Sequence, residues 1–150
     1  MPKTLTVEIV TPEKVAMQGQ AESVVLPAYG GSMGVLPRHA PFMVMLNPGE
    51  VRVTAPGGET REFAVGGGFA EVRPDAVSVF AESAELPDEI DAERARQALE
   101  RAKARVQAPG LDPLTLAQAE AAMKRAQVRL RVAEFRRLRG GRLRPYGEER

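Results

Sequence analysis

The fold of this chain is decided by residues 85–95, which read ELPDEIDAERA. Residues before Pro87 form short apolar runs between turns, whereas the residues after it are rich in Ala and Arg. The charge changes at the same position, because residues 1–87 carry 6 Lys and Arg against 10 Asp and Glu, and residues 88–150 carry 15 against 10. The sequence therefore predicts two regions of different architecture that meet near Pro87.

The region before Pro87 has the pattern of β-strands. Leu5, Val7 and Ile9 alternate with polar residues, as in a strand with one buried face. Further strand-like runs are separated by turns with Gly, Pro or Asn, and they lie at residues 22–26, 42–46, 51–54, 60–65, 69–72 and 76–81. Turns at this short spacing favour an antiparallel sandwich or barrel. Five of the seven aromatic residues lie in this region, so we expect the main core there.

The region after Pro87 has the pattern of two antiparallel helices. Asp91 is a candidate N-cap for the first helix, and Asp112-Pro113 marks the start of the second. The apolar stripes have 3–4-residue spacing and consist of Ala95, Ala98, Leu99, Ala102 and Val106, then Leu116, Ala119, Met123, Ala126, Leu130 and Ala133. Because burial of Ala yields less free energy than burial of Leu, we expect this pair to need a docking surface or a ligand.

These patterns divide the chain into three parts. We predict an α+β protein with a β-sandwich at residues 1–87, a two-helix hairpin at 88–139 and a basic, mobile tail at 140–150. No continuous apolar run is long enough for a signal peptide or a membrane span. We therefore expect a protein that is soluble, or that is peripheral to a membrane through a partner.

The residue types that carry catalysis are scarce. The chain has one His and no Cys, which excludes disulfides and thiolate metal sites. It contains neither a Gly-Lys-Ser/Thr phosphate loop nor a His-Glu-x-x-His pair. His39 lacks an evident partner group for general acid–base work. We therefore predict no catalytic residue and no metal site, and a binding or structural role.

The helices present Arg residues on shared faces. Asp91, Arg94 and Arg101 share one face of the first helix, and Arg125 and Arg129 share one face of the second. In an antiparallel pair, four guanidinium groups could converge on one point, and their forked donors suit phosphate oxygens. The alternative is an ordinary charged face in contact with water.

Two Gly-rich stretches and the tail allow other interpretations. Residues 66–68 are best explained by positive φ angles and close approach at strand ends. Residues 29–34 are either a plain turn or, with exposed Tyr29 and Met33, a close-packed contact with a partner. The basic helices and tail also suit a small nucleic-acid-binding protein with salt-dependent affinity, although the acidic first region argues against it.

Four segments in order closely resemble the epsilon subunit of the bacterial F-type ATP synthase, over about residues 5–138. They are Glu8-Ile9-Val10-Thr11-Pro12-Glu13, Gly34-Val35-Leu36-Pro37-Arg38-His39-Ala40-Pro41, Gly67-Gly68-Phe69-Ala70-Glu71-Val72 and Ile90-Asp91-Ala92-Glu93-Arg94-Ala95. The resemblance implies a sandwich of two five-stranded sheets followed by a two-helix hairpin. It implies a non-catalytic rotor subunit that joins gamma to the membrane c-ring.

The resemblance also implies regulation and location. The two helices would inhibit ATP hydrolysis when they extend along gamma into the alpha/beta catalytic head. The protein would lie at the cytoplasmic face of the bacterial membrane, with no direct membrane insertion and no nucleic-acid partner. No cofactor is obligatory, and ATP would be a regulatory ligand that is not hydrolysed.

The family's ATP-sensing motif, Ile-Asp-x-x-Arg-Ala, and its partner positions assign an ATP site. By resemblance it comprises Glu85, Ile90, Asp91, Arg94, Ala95, Arg101, Arg125 and Arg129. The c-ring contact would comprise Tyr29, Gly31, Ser32 and Met33, and His39 would contact gamma. Two residues depart from the family pattern: Arg38 replaces a Gly before the His, and Ser32 replaces an acidic residue.

Overall fold

The computed structural model describes residues 4–138 of the 150-residue chain. The basic tail that the sequence predicts at residues 140–150 lies outside the described residues. Ten strands fill the first part of the described chain, namely β1 (Leu5–Val10), β2 (Val15–Ala21), β3 (Ser23–Ala28), β4 (Gly31–Val35), β5 (Phe42–Leu46), β6 (Gly49–Thr54), β7 (Thr60–Val65), β8 (Gly68–Val72), β9 (Ala76–Ala81) and β10 (Ala84–Glu85).

The strands form two halves of five strands each. One half has the order β4-β3-β6-β7-β10, and the other has the order β5-β8-β9-β1-β2. The halves are joined where Ala28 of β3 pairs with Leu46 of β5. Every pairing among the described strands is antiparallel except that of β1 with β9. The predicted sandwich of two five-stranded sheets, followed by two helices, is thus confirmed.

The pattern of residues alone did not locate three of these strands, and each omission has a physical reason. β4 reads Gly-Ser-Met-Gly-Val, and its two glycines and serine hide the strand alternation. β2 carries Gly19 and two glutamines, and β10 has only two residues. The predicted loop at residues 29–34 is therefore a two-residue turn, Tyr29-Gly30, followed by a paired strand.

The core of the sandwich lies between the inward faces of the two halves. Leu5, Val7 and Ile9 are fully buried, as their alternation with polar residues predicts. Phe63 is the largest fully buried side chain. Aliphatic residues of all the longer strands complete one continuous cluster, so the main core lies in the region where the aromatic content predicts it.

The helices begin after a short 3-10 turn at Pro87–Glu89, and they are α1 (Ala92–Val106) and α2 (Pro113–Leu138). Asp91 caps α1, because its Oδ1 accepts a hydrogen bond of 3.0 Å from the backbone N–H of Arg94. Asp112 accepts bonds from the backbone N–H and the hydroxyl of Thr115, at 2.7 and 2.9 Å. These bonds hold the pKa of Asp112 below its usual value, the backbone bond most of all.

The predicted stripes face each other along the hairpin. Five of their members are buried, namely Ala95, Leu99 and Ala102 on α1 and Ala119 and Ala126 on α2. α2 also buries a second face that its sequence pattern did not indicate. Val128 and Val132 are 2% and 0% exposed, and they form a second core with Ala64 and Ile90. The sandwich thus supplies the docking surface that the Ala-rich seam requires.

Neither helix within residues 4–138 combines the length and apolar character that crossing a bilayer requires.

Candidate functional site

A cavity of about 320 Å³ lies where the sandwich meets both helices. Its walls come from the end of β7, from the turn before β10, from α1 and from α2. The charged residues in these walls are Glu85, Arg125 and Arg129, and the rest are small or apolar: Ala64, Val65, Gly66, Ser83, Ala98, Ala122 and Ala126. A ligand in this cavity would touch both regions of the chain at once.

Glu85 and Arg129 form an ion pair inside this cavity. Nη2 of Arg129 donates a hydrogen bond of 3.0 Å to Oε2 of Glu85. Nε of Arg129 lies 2.8 Å from Oε1, but its N–H is not aligned for a hydrogen bond. The side chain of Arg129 is 35% exposed and that of Glu85 is 26% exposed, so water screens the pair only in part.

Arg125 is the second guanidinium in the walls, and it forms no ion pair with any side chain of residues 4–135. The charged groups of the cavity are therefore two cations and one carboxylate. Because Arg129 already compensates Glu85, one positive charge remains for an anionic ligand. A guanidinium fork with free donors is suited to phosphate oxygens.

Gly66 permits the close approach of the turn at Ser83. A methyl group on Gly66 would lie 2.6 Å from Oγ of Ser83 and 3.7 Å from Cδ of Arg125. Gly67 and Gly68 have φ angles of +112° and +137°, which agree with the interpretation of this segment as a strand end. Gly66 is different, because it lines the cavity, and the sequence offered no signal that separated it from its neighbours.

None of the ATP-site residues that the sequence predicts between residues 90 and 101 lines the cavity. Ile90 and Ala95 are buried in the second core, and Asp91 caps the helix. Arg94 and Arg101 are exposed, and neither lines the cavity. The residue that α1 contributes is Ala98. The structure thus brings together Glu85, Arg125 and Arg129 and leaves the two α1 arginines on the surface.

The predicted c-ring residues lie at the hairpin of β3 and β4. Tyr29 is 86% exposed at the turn, and Gly31 and Ser32 are also exposed. Met33 differs from the sequence prediction, because it is half-buried and packs against the main core. The pleat of β4 explains this, since Met33 points inward when Ser32 points outward.

His39 lies in the connection between β4 and β5, next to a strained residue. Its ring centroid is 5.0 Å from that of Phe42, and Nδ1 lies 2.8 Å from the carbonyl oxygen of Ala40. Arg38 has a φ of +70°, a conformation that favours Gly. Its backbone N–H donates a hydrogen bond of 2.7 Å to the carbonyl of Pro74, which holds the connection in place.

An apolar row crosses the outer face of the second sheet, which is the half with the order β5-β8-β9-β1-β2. Met45, Phe69 and Phe80 are directly opposite one another on β5, β8 and β9. They are 67%, 39% and 38% exposed, and the two Phe rings stack at 5.0 Å. The sequence signal for this surface was the continuous apolar run at residues 42–46, because a strand with one solvated face would alternate. Such an exposed row is typical of a contact surface for another protein.

Comparisons with known proteins agree with both regions of the fold. Residues 4–87 match the family model described as ATP synthase, Delta/Epsilon chain, beta-sandwich domain, and residues 88–134 match the corresponding long alpha-helix domain. The chain is 46% identical to the ATP synthase epsilon chain of Moorella thermoacetica over 132 residues, which are 87% of this chain and 96% of the relative. It is 44% identical to that of Halalkalibacterium halodurans over 130 residues, which cover 87% and 97%.

A solved structure gives the same result for the fold. A chain in the cryo-EM structure of Euglena gracilis mitochondrial ATP synthase, OSCP/F1/c-ring, superimposes with a TM-score of 0.78 at 28% identity. The alignment covers 89% of this chain and 83% of that one, so it includes the sandwich and the helices.

Proposed function

Since this chain belongs to the ATP synthase delta/epsilon family, as an epsilon chain, we propose that it is a regulatory rotor subunit of the central stalk. In this role the sandwich connects gamma to the c-ring, and the complex lies peripheral to the cytoplasmic face of the bacterial membrane. The α1–α2 hairpin inhibits ATP hydrolysis when it leaves the sandwich and enters the alpha/beta head. The chain itself contributes no catalytic residue.

The observation that carries this proposal is the cavity between the sandwich and both helices. Its walls come from all three, so it is complete only while the hairpin is docked. A ligand that binds the docked state better than the undocked state shifts the population toward docking. A ligand at 100 times its dissociation constant stabilises the state it binds by about 2.7 kcal/mol. That is enough to control a hairpin whose seam is mostly Ala.

ATP is the ligand that we assign to this cavity. Arg125 has free donors for phosphate oxygens, and Arg129 becomes available when its bond to Glu85 is exchanged for one to the nucleotide. Ile90 and Asp91 lie at the start of α1, where the family motif would hold the base. Arg94 and Arg101, which are exposed in this structure, would join the site by side-chain rotation. ATP would then keep the hairpin docked and the subunit non-inhibitory.

Two surfaces support the rotor contacts. The row of Met45, Phe69 and Phe80 offers exposed apolar area for gamma, and His39 lies in the loop that leads into β5. Tyr29, Gly31 and Ser32 form an exposed tip at the β3–β4 hairpin, which we assign to the c-ring. Met33 supports this tip from the inside.

Reconstitution with gamma and the alpha/beta head tests the proposal. We expect gamma to co-purify with the full chain and with a chain truncated after Pro87, because both surfaces lie on the sandwich. The truncated chain should leave ATP hydrolysis higher than the full chain does. Co-purification of gamma only with the full chain would show that the sandwich is not the coupling element.

A further inference from the structure

A second cavity lies on another side of α2, and we propose that it is a binding site for a phosphate-bearing anion. It has a volume of about 480 Å³, within the usual range for small-molecule sites. It opens between α2 and the outward face of the sheet formed by β4, β3 and β6. None of its lining residues belongs to the nucleotide cavity described above.

The wall that α2 contributes carries two cations. Lys124, Val128 and Arg131 are spaced by four and three residues, so they lie on one face of the helix. Val128 is buried against the sandwich, whereas Lys124 and Arg131 are exposed on either side of it. Among residues 4–135, whose side chains the structure describes, neither cation forms an ion pair or a side-chain hydrogen bond. Both are therefore available to a ligand.

The sheet wall does not neutralise these two charges. Its one carboxylate is Glu50, which lies 3.0 Å from Nη2 of Arg52. Arg52 also lines the cavity, so the lining residues carry three cations, Arg52, Lys124 and Arg131, against this one carboxylate. The positive charge of Lys124 and Arg131 remains as the excess charge of the cavity.

The polar groups opposite the cations suit phosphate. The exposed hydroxyl of Ser32 can donate to an oxygen, and the amide of Asn47 is held in place by a 3.5 Å bond to the carbonyl of Ala28. A phosphate group offers several acceptor oxygens and more than one negative charge, which matches one guanidinium fork, one ammonium and neutral donors. A phosphorylated metabolite and the headgroup of an anionic lipid both present this group.

Occupation of this site would favour docking of the hairpin, because the ligand would contact α2 and the sheet together. The hairpin would then respond to two anions, one on each side of α2. Arg125 and Arg129 serve one cavity, and Lys124 and Arg131 serve the other.

The test is calorimetric titration with pyrophosphate of the full chain carrying Arg125→Ala, which removes the unpaired guanidinium of the nucleotide cavity as a competing phosphate contact. We expect the double variant Lys124→Ala/Arg131→Ala to bind about tenfold more weakly, because two charge-assisted contacts are lost. The matched control is Lys103→Ala/Arg105→Ala, which removes the same charge from exposed positions of α1 outside both cavities. In the same background, the control should bind pyrophosphate as the chain with Arg125→Ala alone does.

A second arm identifies the source of the phosphate group. Vesicles of phosphatidylglycerol are compared with vesicles of phosphatidylcholine in a sedimentation assay. Binding of pyrophosphate, or of anionic vesicles alone, supports the proposal if only Lys124→Ala/Arg131→Ala weakens it, and the second result assigns a lipid headgroup. Absence of binding to both probes, or equal weakening by the control pair, would overturn the proposal.

Discussion

Arg129 on α2 donates a hydrogen bond of 3.0 Å to Glu85 on β10, and this bond fastens the helical hairpin to the sandwich. The pair lies in the wall of the nucleotide cavity, so the contact that docks the hairpin also belongs to the proposed ligand site. Docking and ligand binding are therefore linked through one guanidinium.

We expect Glu85→Gln to weaken docking of α2 by about 1 kcal/mol, because the bond loses its charge while its shape is kept. Hydrogen exchange of the α2 amides near Val128 measures this change. Glu93→Gln is the control, since Glu93 pairs with Arg96 within α1 and does not reach the sandwich. Equal exchange in Glu85→Gln and the unmodified chain would show that the pair contributes nothing to docking.

Substitution of Gly66 tests whether the cavity takes ATP. We expect Gly66→Ala to weaken ATP binding by about tenfold, because the methyl group would occupy part of the cavity and displace the hydroxyl of Ser83, which it would otherwise meet at 2.6 Å. Gly34→Ala is the matched control, since a methyl group there meets no atom within 4 Å. Titration calorimetry on both variants gives the comparison. Similar losses in the two variants would place the nucleotide elsewhere.

The backbone of Arg38 predicts an unusual response to glycine. At a φ of +70° a side chain destabilises the folded chain by about 1–2 kcal/mol. Glycine lowers the free energy of unfolding by only about 0.4–1 kcal/mol, because it gives the unfolded chain more conformations. We expect Arg38→Gly to hold or raise the free energy of unfolding, and Arg38→Val to lower it. Arg73→Gly, at an ordinary φ, should be destabilising. Denaturant unfolding measures all three, and the reverse order for the two Arg38 variants would contradict the strain.

The stability of the first turn of α2 should depend on pH through the carboxylate of Asp112. Its pKa is lower in the folded chain than its usual value of 3.8, so its stabilising effect is full above that value. The effect is lost as the pH falls below 3.8 and passes through the lowered pKa. We expect Asp112→Asn to keep the cap and to remove this dependence, as measured by amide exchange at Thr115 and Leu116. An unchanged pH profile in Asp112→Asn would exclude Asp112 as its source.

If the apolar row on the second sheet is the contact surface for gamma, a polar substitution in this row should weaken gamma binding. We expect Phe69→Ser to weaken co-purification of gamma by about tenfold while the sandwich stays folded, because the side chain is partly exposed. Leu114→Ser is the control, since Leu114 is 71% exposed at the start of α2. If Leu114→Ser had the larger effect, gamma would contact the hairpin and not this row.

Local patterns in the sequence were sufficient for much of the architecture. The alternation of Leu5, Val7 and Ile9 and the Ala-rich stripes depend on the strand and helix periods alone, so the sequence shows them directly. The second buried face of α2, at Val128 and Val132, depends on where the hairpin docks, which no local pattern records.

The candidate site was predictable only in part for the same reason. Arg125 and Arg129 share a helix face and reach the cavity together, as their spacing indicates. Arg94 and Arg101 share a face with Ala98, which lines the cavity, but the two guanidinium side chains lie exposed on either side of it and do not line the cavity. Gly66 and Ser83 join the site through strand pairing, which the sequence does not reveal.

Calorimetric titration of the full chain with ATP tests most directly whether a nucleotide controls the hairpin. We expect saturable binding at millimolar or lower ATP, and a loss of about tenfold or more in Arg125→Ala, because a charge-assisted contact to phosphate is removed. Arg105→Ala, which removes an exposed guanidinium outside the cavity, should bind ATP as the unmodified chain does. Absence of binding at millimolar ATP, or equal affinity in Arg125→Ala and the unmodified chain, would contradict the account.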